Sequence, residues 1–209
     1  MRTHALLLAM TLAAPFTACG GDAAERPAAA AAAEGGGGAD PTGASPEVAA
    51  ADSADPVPTR AAGLRAEGTA APAFEAPDQS GALRTLEAER GNPVVLYFYP
   101  RDATPGCTAE ACAFRDAWAR YEEAGVQVFG VSTDSVESHR AFAEEHGLPF
   151  PLLADPEARI ADAYGVPHIG GFMRRVTFLI DADGRIARVF DQVDPGVHAE
   201  EVLSALAAR

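Results

Sequence analysis

The feature that most constrains the fold is an apolar run that ends in a proline-rich turn, with a cysteine directly after the turn. Residues 93–99 form the apolar run, residues 100–106 form the turn, and Cys107 follows. Because the run shows no polar alternation, it is typical of a central strand buried on both faces. The helical pattern beyond the turn places Cys107 near a helix N-terminus, where unpaired N–H groups and the helix dipole stabilise an anion. The pattern therefore predicts a reactive thiolate, the form of cysteine that attacks electrophiles.

Strand and helix signals alternate from about residue 70 to the end of the chain. An N-terminal hairpin is predicted over 73–84, strands over 93–99, 126–131 and 150–153, and a second hairpin over 176–190. Helices are predicted over 108–123, from a cap at Asp134 or Ser135 to 146, over 156–164 and over 198–208. This order is that of an α/β, thioredoxin-like fold, in which helices flank a central mixed sheet. We assign this domain to residues 68–209.

The N-terminus has the pattern of a secretory signal. A short basic lead precedes an apolar run over residues 5–16, which is too short to span a bilayer as a stable helix. Small residues before Cys19 resemble a bacterial lipobox, so residues 1–18 are predicted to be a lipoprotein signal peptide and Cys19 the lipidated residue. An ordinary cleaved signal peptide with an unrelated cysteine remains the alternative.

Residues 19–67 consist almost entirely of Ala, Gly, Pro, Asp, Glu, Ser and Thr. Such a segment buries too little apolar surface to offset the entropy of ordering, which predicts a disordered tether. Its length gives a reach on the order of 35–40 Å, enough to hold a small domain clear of a membrane surface.

The charge of the chain excludes several classes of function. All 16 basic residues are Arg, and the net charge is −14. The absence of Lys excludes Schiff-base and Walker-type lysine chemistry. Nucleic acids and anionic membranes attract clustered positive charge, so an acidic chain of this kind is not expected to bind nucleic acid.

The segment around Cys107 resembles the active site of the peroxiredoxins. Pro100-x-x-x-Thr104-x-x-Cys107 matches the family pattern, and Cys112 matches the second cysteine of the bacterioferritin comigratory protein, or peroxiredoxin Q, branch. The resemblance covers the whole folded domain. It implies a thiol peroxidase that reduces hydrogen peroxide or small organic hydroperoxides and needs no cofactor, whether metal, haem or flavin.

The resemblance also implies a role for each catalytic residue. Cys107 is the nucleophile, Thr104 hydrogen-bonds the thiolate and the peroxide, and Pro100 shields the pocket from water. Arg174-Arg175-Val-Thr177-Phe resembles the family's Arg-x-Thr/Ser-Phe, and alignment on Thr177 selects Arg175 as the cation beside the thiolate. Neighbouring residues of a strand point to opposite faces, which also separates Arg174 from Arg175.

Cys112 is predicted to resolve the oxidised Cys107. Five residues along a helix correspond to about 7.5 Å of rise and 140° of rotation, whereas a disulfide tolerates Cα separations up to about 7 Å with facing Cβ atoms. The Cys107–Cys112 bond can therefore close only after the first helical turns unwind. Intermolecular resolution, with Cys112 as a spare buried residue, remains the alternative.

Two other functions are compatible with a thioredoxin-like fold. A disulfide reductase would carry Cys-x-x-Cys and a proline before the threonine at position 177, and this chain has neither. A copper-delivery protein would need a Cys-x-x-x-Cys pair and a partner histidine. The mature chain has four scattered histidines without metal-ligand spacing, which are expected at helix ends or on the surface: His139, His146, His168 and His198.

The partners and location follow from the same features. We expect a hydroperoxide substrate, a thioredoxin-like dithiol reductant, a monomeric protein and a membrane anchor through Cys19. The signal and tether place the enzyme outside the cytoplasm, at the periplasmic face of a membrane.

Overall fold

A five-stranded mixed sheet organises residues 63–208, the part of the chain that this computed structural model describes. The strands are β1 (Glu75–Pro77), β2 (Leu83–Thr85), β3 (Val94–Phe98), β4 (Gln127–Ser132), β5 (Leu152–Ala154), β6 (His168–Ile169), β7 (Phe172–Met173), β8 (Val176–Ile180) and β9 (Ile186–Phe190). The helices are α1 (Pro105–Asp116), α2 (Trp118–Glu123), α3 (Val136–His146), α4 (Arg159–Tyr164) and α5 (His198–Ala207), with a short 3-10 helix at Glu87–Glu89.

The central sheet has the strand order β5-β4-β3-β8-β9. β3, β4 and β5 are parallel, while β8 and β9 run antiparallel to their neighbours. Every residue of β3 is buried, as its uninterrupted apolar sequence predicts. The predicted thioredoxin-like arrangement, a mixed sheet flanked by helices, is confirmed.

Alternate residues of β3 supply two separate cores. Val95 and Tyr97 pack with residues of α1, α2, α3 and α5 on one face of the sheet. Leu96 and Phe98 pack on the other face with residues of α4 and β1 and with Phe74, which precedes β1. Helix α1, which carries the cysteines, therefore lies on the first of these faces.

The helix predicted over 108–123 is two helices in the structure, so that prediction was wrong in its bounds and its continuity. α1 begins at Pro105, because proline suits the first turn of a helix, where its missing N–H is not needed. The break falls at Ala117, whose φ of −89° and ψ of 0° are not helical. Beyond it, the Tyr121 hydroxyl donates to the Ala199 carbonyl of α5. A tertiary contact of this kind is not visible in the local sequence pattern.

The other predicted elements occur with small shifts in their ends. Ser135 caps α3 by accepting the Ser138 N–H, and the β8–β9 hairpin turns at Gly184, whose φ is 75°. The small β6–β7 hairpin was not predicted, because two-residue strands leave too short a pattern to detect.

The described part of the chain begins at residue 63, whereas the predicted domain begins at 68. Arg65 donates from its N–H to the Tyr164 carbonyl, and the Glu67 carboxylate accepts the Val189 N–H. The end of the segment assigned to the tether therefore packs against the domain. The signal peptide, Cys19 and the rest of the tether lie outside the described residues. Between residues 63 and 208, no helix is long and apolar enough to cross a membrane.

Candidate active site

Cys107 lies in the first turn of α1, just beyond the end of β3. Thr104 is the N-cap residue and Pro105 the first helical residue. Pro105 has no N–H, and the Thr104 side chain makes no capping hydrogen bond, so the amides of Gly106 and Cys107 have no side-chain cap. The Cys107 side chain is buried, and the positive end of the helix stabilises negative charge on its sulfur.

The pairing of β8 with β3 brings Arg175 to Cys107. Phe98 at the end of β3 lies opposite Val176 at the start of β8. Arg175, which immediately precedes β8, is therefore next to the loop that leads into α1. Its Nη2 donates to the Cys107 sulfur at 3.4 Å. A largely buried guanidinium at this distance stabilises a thiolate.

Arg174 takes no part in this arrangement. Its Nη2 donates to the Asp191 carbonyl at 2.9 Å, away from Cys107. Gly106 leaves room for Arg175, since a Cβ at that position would lie 3.3 Å from Nη2, a tight contact that would require the guanidinium to shift by a few tenths of an ångström. The structure thus places Arg175, the arginine that alignment on Thr177 selects, beside the Cys107 sulfur.

Glu110 completes the site and was not predicted. It lies one helical turn beyond Cys107, is fully buried, and accepts a hydrogen bond from Nη1 of Arg175 through Oε2. Burial outweighs the neighbouring Arg175 and raises the pKa of Glu110 to about 7. Its other oxygen, Oε1, has no hydrogen-bond partner among the described residues. The i, i+3 spacing from Cys107 was the available signal, because such residues share a helix face.

Thr104 and Pro100 lie in the loop before Cys107. The Thr104 hydroxyl donates to the Arg101 carbonyl at 3.2 Å. Its single proton is therefore directed to the loop backbone in this structure, which contains no peroxide. Pro100 is partly buried immediately after Tyr99. The catalytic roles of both residues remain predictions.

Cys112 lies on the same helix as Cys107 and is buried. Cys107 is a free thiol, and α1 is continuous from Pro105 to Asp116. The Cys107–Cys112 bond is thus not formed in this state, in keeping with the helical geometry that separates the two side chains.

Two of the four histidines lie at helix ends, as expected: His146 is the last residue of α3 and His198 the first of α5. His139 departs from the expectation, because it lies within α3 and is fully buried, with hydrogen-bond partners inside the protein. His198 donates to or accepts from Thr177 at 2.8 Å, and burial lowers the pKa of His198. Within residues 63–208, no group of three or more His, Cys, Asp or Glu side chains is placed to hold a metal ion.

Comparison with known proteins identifies the family. The model of the AhpC/TSA family matches residues 68–189. The chain belongs to the AhpC/TSA family. A chloroplastic peroxiredoxin Q of Sedum lineare is 43% identical over 143 residues, which are 67% of this chain and 77% of that protein.

Solved structures place this AhpC/TSA protein within the bacterioferritin comigratory and peroxiredoxin Q group. The peroxidoxin BcpB of Mycobacterium tuberculosis matches with a TM-score of 0.64 and 38% identity, over 68% of this chain and 96% of that one. The bacterioferritin comigratory protein of Xanthomonas campestris, studied for its alkyl peroxide reduction, matches with a TM-score of 0.61 and 34% identity, over 65% and 90%. These matches favour a peroxiredoxin over a disulfide reductase or a copper-delivery protein.

Proposed function

We propose that this peroxiredoxin is a thiol-dependent peroxidase that reduces hydrogen peroxide and organic hydroperoxides at Cys107. The observation that carries the proposal is the Arg175 guanidinium, which donates to the Cys107 sulfur at 3.4 Å in the first turn of a helix. The alkyl peroxide reduction of the Xanthomonas campestris relative supports organic hydroperoxides as substrates.

In the first step, the Cys107 thiolate attacks the terminal oxygen of the peroxide. A sulfur–oxygen bond forms, the O–O bond breaks, and the electron pair of that bond leaves on the second oxygen as alkoxide or hydroxide. This anion takes a proton from water and departs as alcohol or water, which leaves sulfenic acid at Cys107. Sulfur is oxidised by two electrons and the peroxide is reduced by two.

Arg175 stabilises charge throughout this step. Its donor near the sulfur favours the thiolate before attack and the departing oxygen as the O–O bond lengthens. Glu110 fixes the guanidinium through its bond to Nη1. Thr104 exchanges its bond to Arg101 for one to the bound peroxide, and Pro100 limits entry of water to the pocket.

In the second step, Cys112 resolves the sulfenic acid. The first turns of α1 unwind, the Cys112 thiol condenses with the Cys107 sulfenic acid, and a disulfide forms as one water is released. A thioredoxin-like dithiol then reduces this disulfide by thiol–disulfide exchange, becomes a disulfide itself and returns both cysteines to thiols.

We further propose that the enzyme works as a monomer, attached through lipidated Cys19 to a membrane and facing an extracytoplasmic space. The apolar run over 5–16, the small residues before Cys19 and the tether composition support this location. Such a space lacks the cytosolic thiol pool, so the reductant would be supplied by a membrane-linked thiol carrier. Metabolic palmitate labelling with cell fractionation tests the anchor. Unlabelled, cytoplasmic protein that retains Met1 would contradict it.

The peroxidase proposal is tested by removing the nucleophile. Cys107→Ser is expected to abolish peroxide consumption in a coupled assay with a thioredoxin-type reductant, because an alcohol at this position does not ionise at neutral pH. The thermal unfolding midpoint, measured alongside, shows that the variant is folded. Peroxide consumption at the wild-type rate by folded Cys107→Ser would refute the proposal.

A further inference from the structure

Asp102 ties the loop that precedes α1 to the body of the protein. Its carboxylate accepts hydrogen bonds from the Tyr99 hydroxyl at 2.7 Å, the Ser138 hydroxyl at 2.7 Å and Nδ1 of His139 at 2.8 Å. Its own N–H donates to the Asp134 carboxylate at 2.9 Å. None of these groups takes part in the peroxide chemistry proposed above, yet they join the loop to α3 and to the segment before it.

The centre of this cluster is a buried pair formed by Asp102 and His139. Nδ1 of His139 faces the Asp102 carboxylate, and Nε2 lies 3.2 Å from the Leu153 carbonyl oxygen. A carboxylate oxygen only accepts, so Nδ1 is the donor in the bond to Asp102. Burial raises the pKa of Asp102, but the bonds from His139, Tyr99 and Ser138 outweigh it and hold that pKa below its usual value. Breaking such a pair leaves an uncompensated buried charge.

Ala103, the residue directly after Asp102, has a strained backbone. Ala103 has a φ of 55°, a left-handed conformation that is unfavourable for a residue with a Cβ. It separates the anchored Asp102 from Thr104 and the first turn of α1. The chain direction therefore changes between the fixed loop and the helix that carries Cys107.

A second anchor lies beyond Cys112 on the same helix. Phe114 is fully buried, and its ring centroid is 4.9 Å from that of Tyr97 in the central strand. Between Asp102 and Phe114 lies the segment that contains both cysteines. Because the Cys107–Cys112 bond requires unwinding, this is the segment that must rearrange between the two fixed ends.

We propose that the hydrogen-bonded pair Asp102–His139 is a positioning device for the Cys107 loop. It holds the loop in its folded, peroxide-reactive state and fixes the N-terminal end of the segment that unwinds during resolution. The inference rests on the proposed peroxidase function. Loosening the pair shifts the balance between folded and unwound loop toward the unwound state. The disulfide then forms faster, whereas the peroxide step changes little as long as the folded state still dominates.

Rapid mixing with peroxide tests this in the full-length, reduced protein, with fluorescence of the single tryptophan, Trp118, as the signal. Asp102→Asn keeps the shape but removes the charge. Losing one charged, buried hydrogen bond is expected to raise the first-order rate of disulfide formation about tenfold. The second-order rate of Cys107 oxidation should fall by less than about twofold. The peroxide dose that converts half of Cys107 to sulfinic acid should rise by about the same tenfold, since sulfenic acid is removed sooner.

Two further variants separate positioning from a general loss of stability. Asp155→Asn removes another buried carboxylate, one that accepts the Ile160 and Ala161 amides at the start of α4, and should leave both rates and the sulfinic dose unchanged. Ser138→Ala removes a single bond to Asp102 and should act in the same direction as Asp102→Asn but more weakly, which keeps the test decisive if Asp102→Asn does not fold.

The outcomes are distinguishable. Disulfide formation in Asp102→Asn or Ser138→Ala that is no faster than in Asp155→Asn would overturn the positioning role. If the wild-type protein itself shows no peroxide-dependent change in fluorescence and no oxidation of Cys107, the proposed peroxidase function fails instead.

Discussion

At the scale of single residues, the reactivity proposed for Cys107 draws on a cation that comes from a distant part of the sequence. Arg175 is delivered by the β3–β8 pairing, is largely buried, and is held by Glu110 on its far side. A preorganised charge of this kind needs no rearrangement during the reaction, so its effect is carried fully into the transition state.

Arg175→Ala is therefore expected to lower the second-order rate constant for peroxide by about 10²–10³-fold. Arg174→Ala is the matched control, because that side chain donates to the Asp191 carbonyl and not to the sulfur. Its rate should stay within about twofold of wild type. Stopped-flow oxidation at pH 7 compares the two variants, and equally small effects would show that the cation is misassigned.

Glu110 makes stability depend on pH. Burial raises its pKa from 4.5 to about 7, so the folded protein favours the protonated carboxyl. The stabilisation that this proton provides is complete below the pKa of Glu110 in the unfolded chain. It is lost as the pH rises through the pKa of Glu110 in the folded protein. Glu110→Gln has no ionisable group at this position, so this contribution is absent from the variant. The free energy of unfolding of wild type minus that of Glu110→Gln should fall by about 3 kcal/mol between pH 4.5 and 7.5.

Urea unfolding under reducing conditions at the two pH values measures this difference. Subtracting the variant removes the contributions that both proteins share, including that of His198, whose lowered pKa acts in the opposite direction. A difference between the two proteins that does not change with pH would contradict the account of Glu110.

The sequence motifs predict a reacting sulfur and an arginine beside it, but not the groups that hold them. Cys107 and Arg175 lie in short patterns of fixed spacing, which a single sequence displays. Glu, Asp and His are residue types that usually lie at the surface. Glu110, Asp102 and His139 matter here because they are buried and because their partners are far away along the chain. Such pairings depend on the fold and cannot be read from local spacing.

At the scale of elements, α1 serves two purposes that conflict in the proposed reaction cycle. Its intact first turn holds Cys107 beside Arg175, whereas closure of the disulfide requires that turn to open. The helix that was predicted as one continuous element is interrupted at Ala117, between α1 and α2. Opening of α1 is therefore not coupled along an unbroken helix to α2. Apolar periodicity predicts a helix across this region, but it does not reveal such a break.

At the scale of the whole molecule, the predictions for the folded domain and those for the N-terminal region rest on different kinds of observation. The mixed sheet, its flanking helices and the β1–β2 and β8–β9 hairpins were predictable, because strands, turns and amphipathic helices leave recognisable patterns in the sequence. The signal, the lipid anchor and the tether rest on composition and on the residues around Cys19. The bonds of the Arg65 backbone N–H and the Glu67 carboxylate to the domain were not predictable, since these groups find their partners only in the folded protein.

The central claim, that Cys107 is oxidised by peroxide and resolved by Cys112 in the same chain, is tested most directly by peptide mass. Because the chain has no Lys, trypsin cleaves after Arg101 and Arg115 and releases both cysteines in one peptide, residues 102–115. After one equivalent of peroxide and blocking of remaining thiols, the account predicts that this peptide loses two hydrogen atoms. In Cys112→Ser it should instead gain one oxygen atom at Cys107. A wild-type peptide that keeps the added oxygen, or that is found linked to a second chain, would contradict the account.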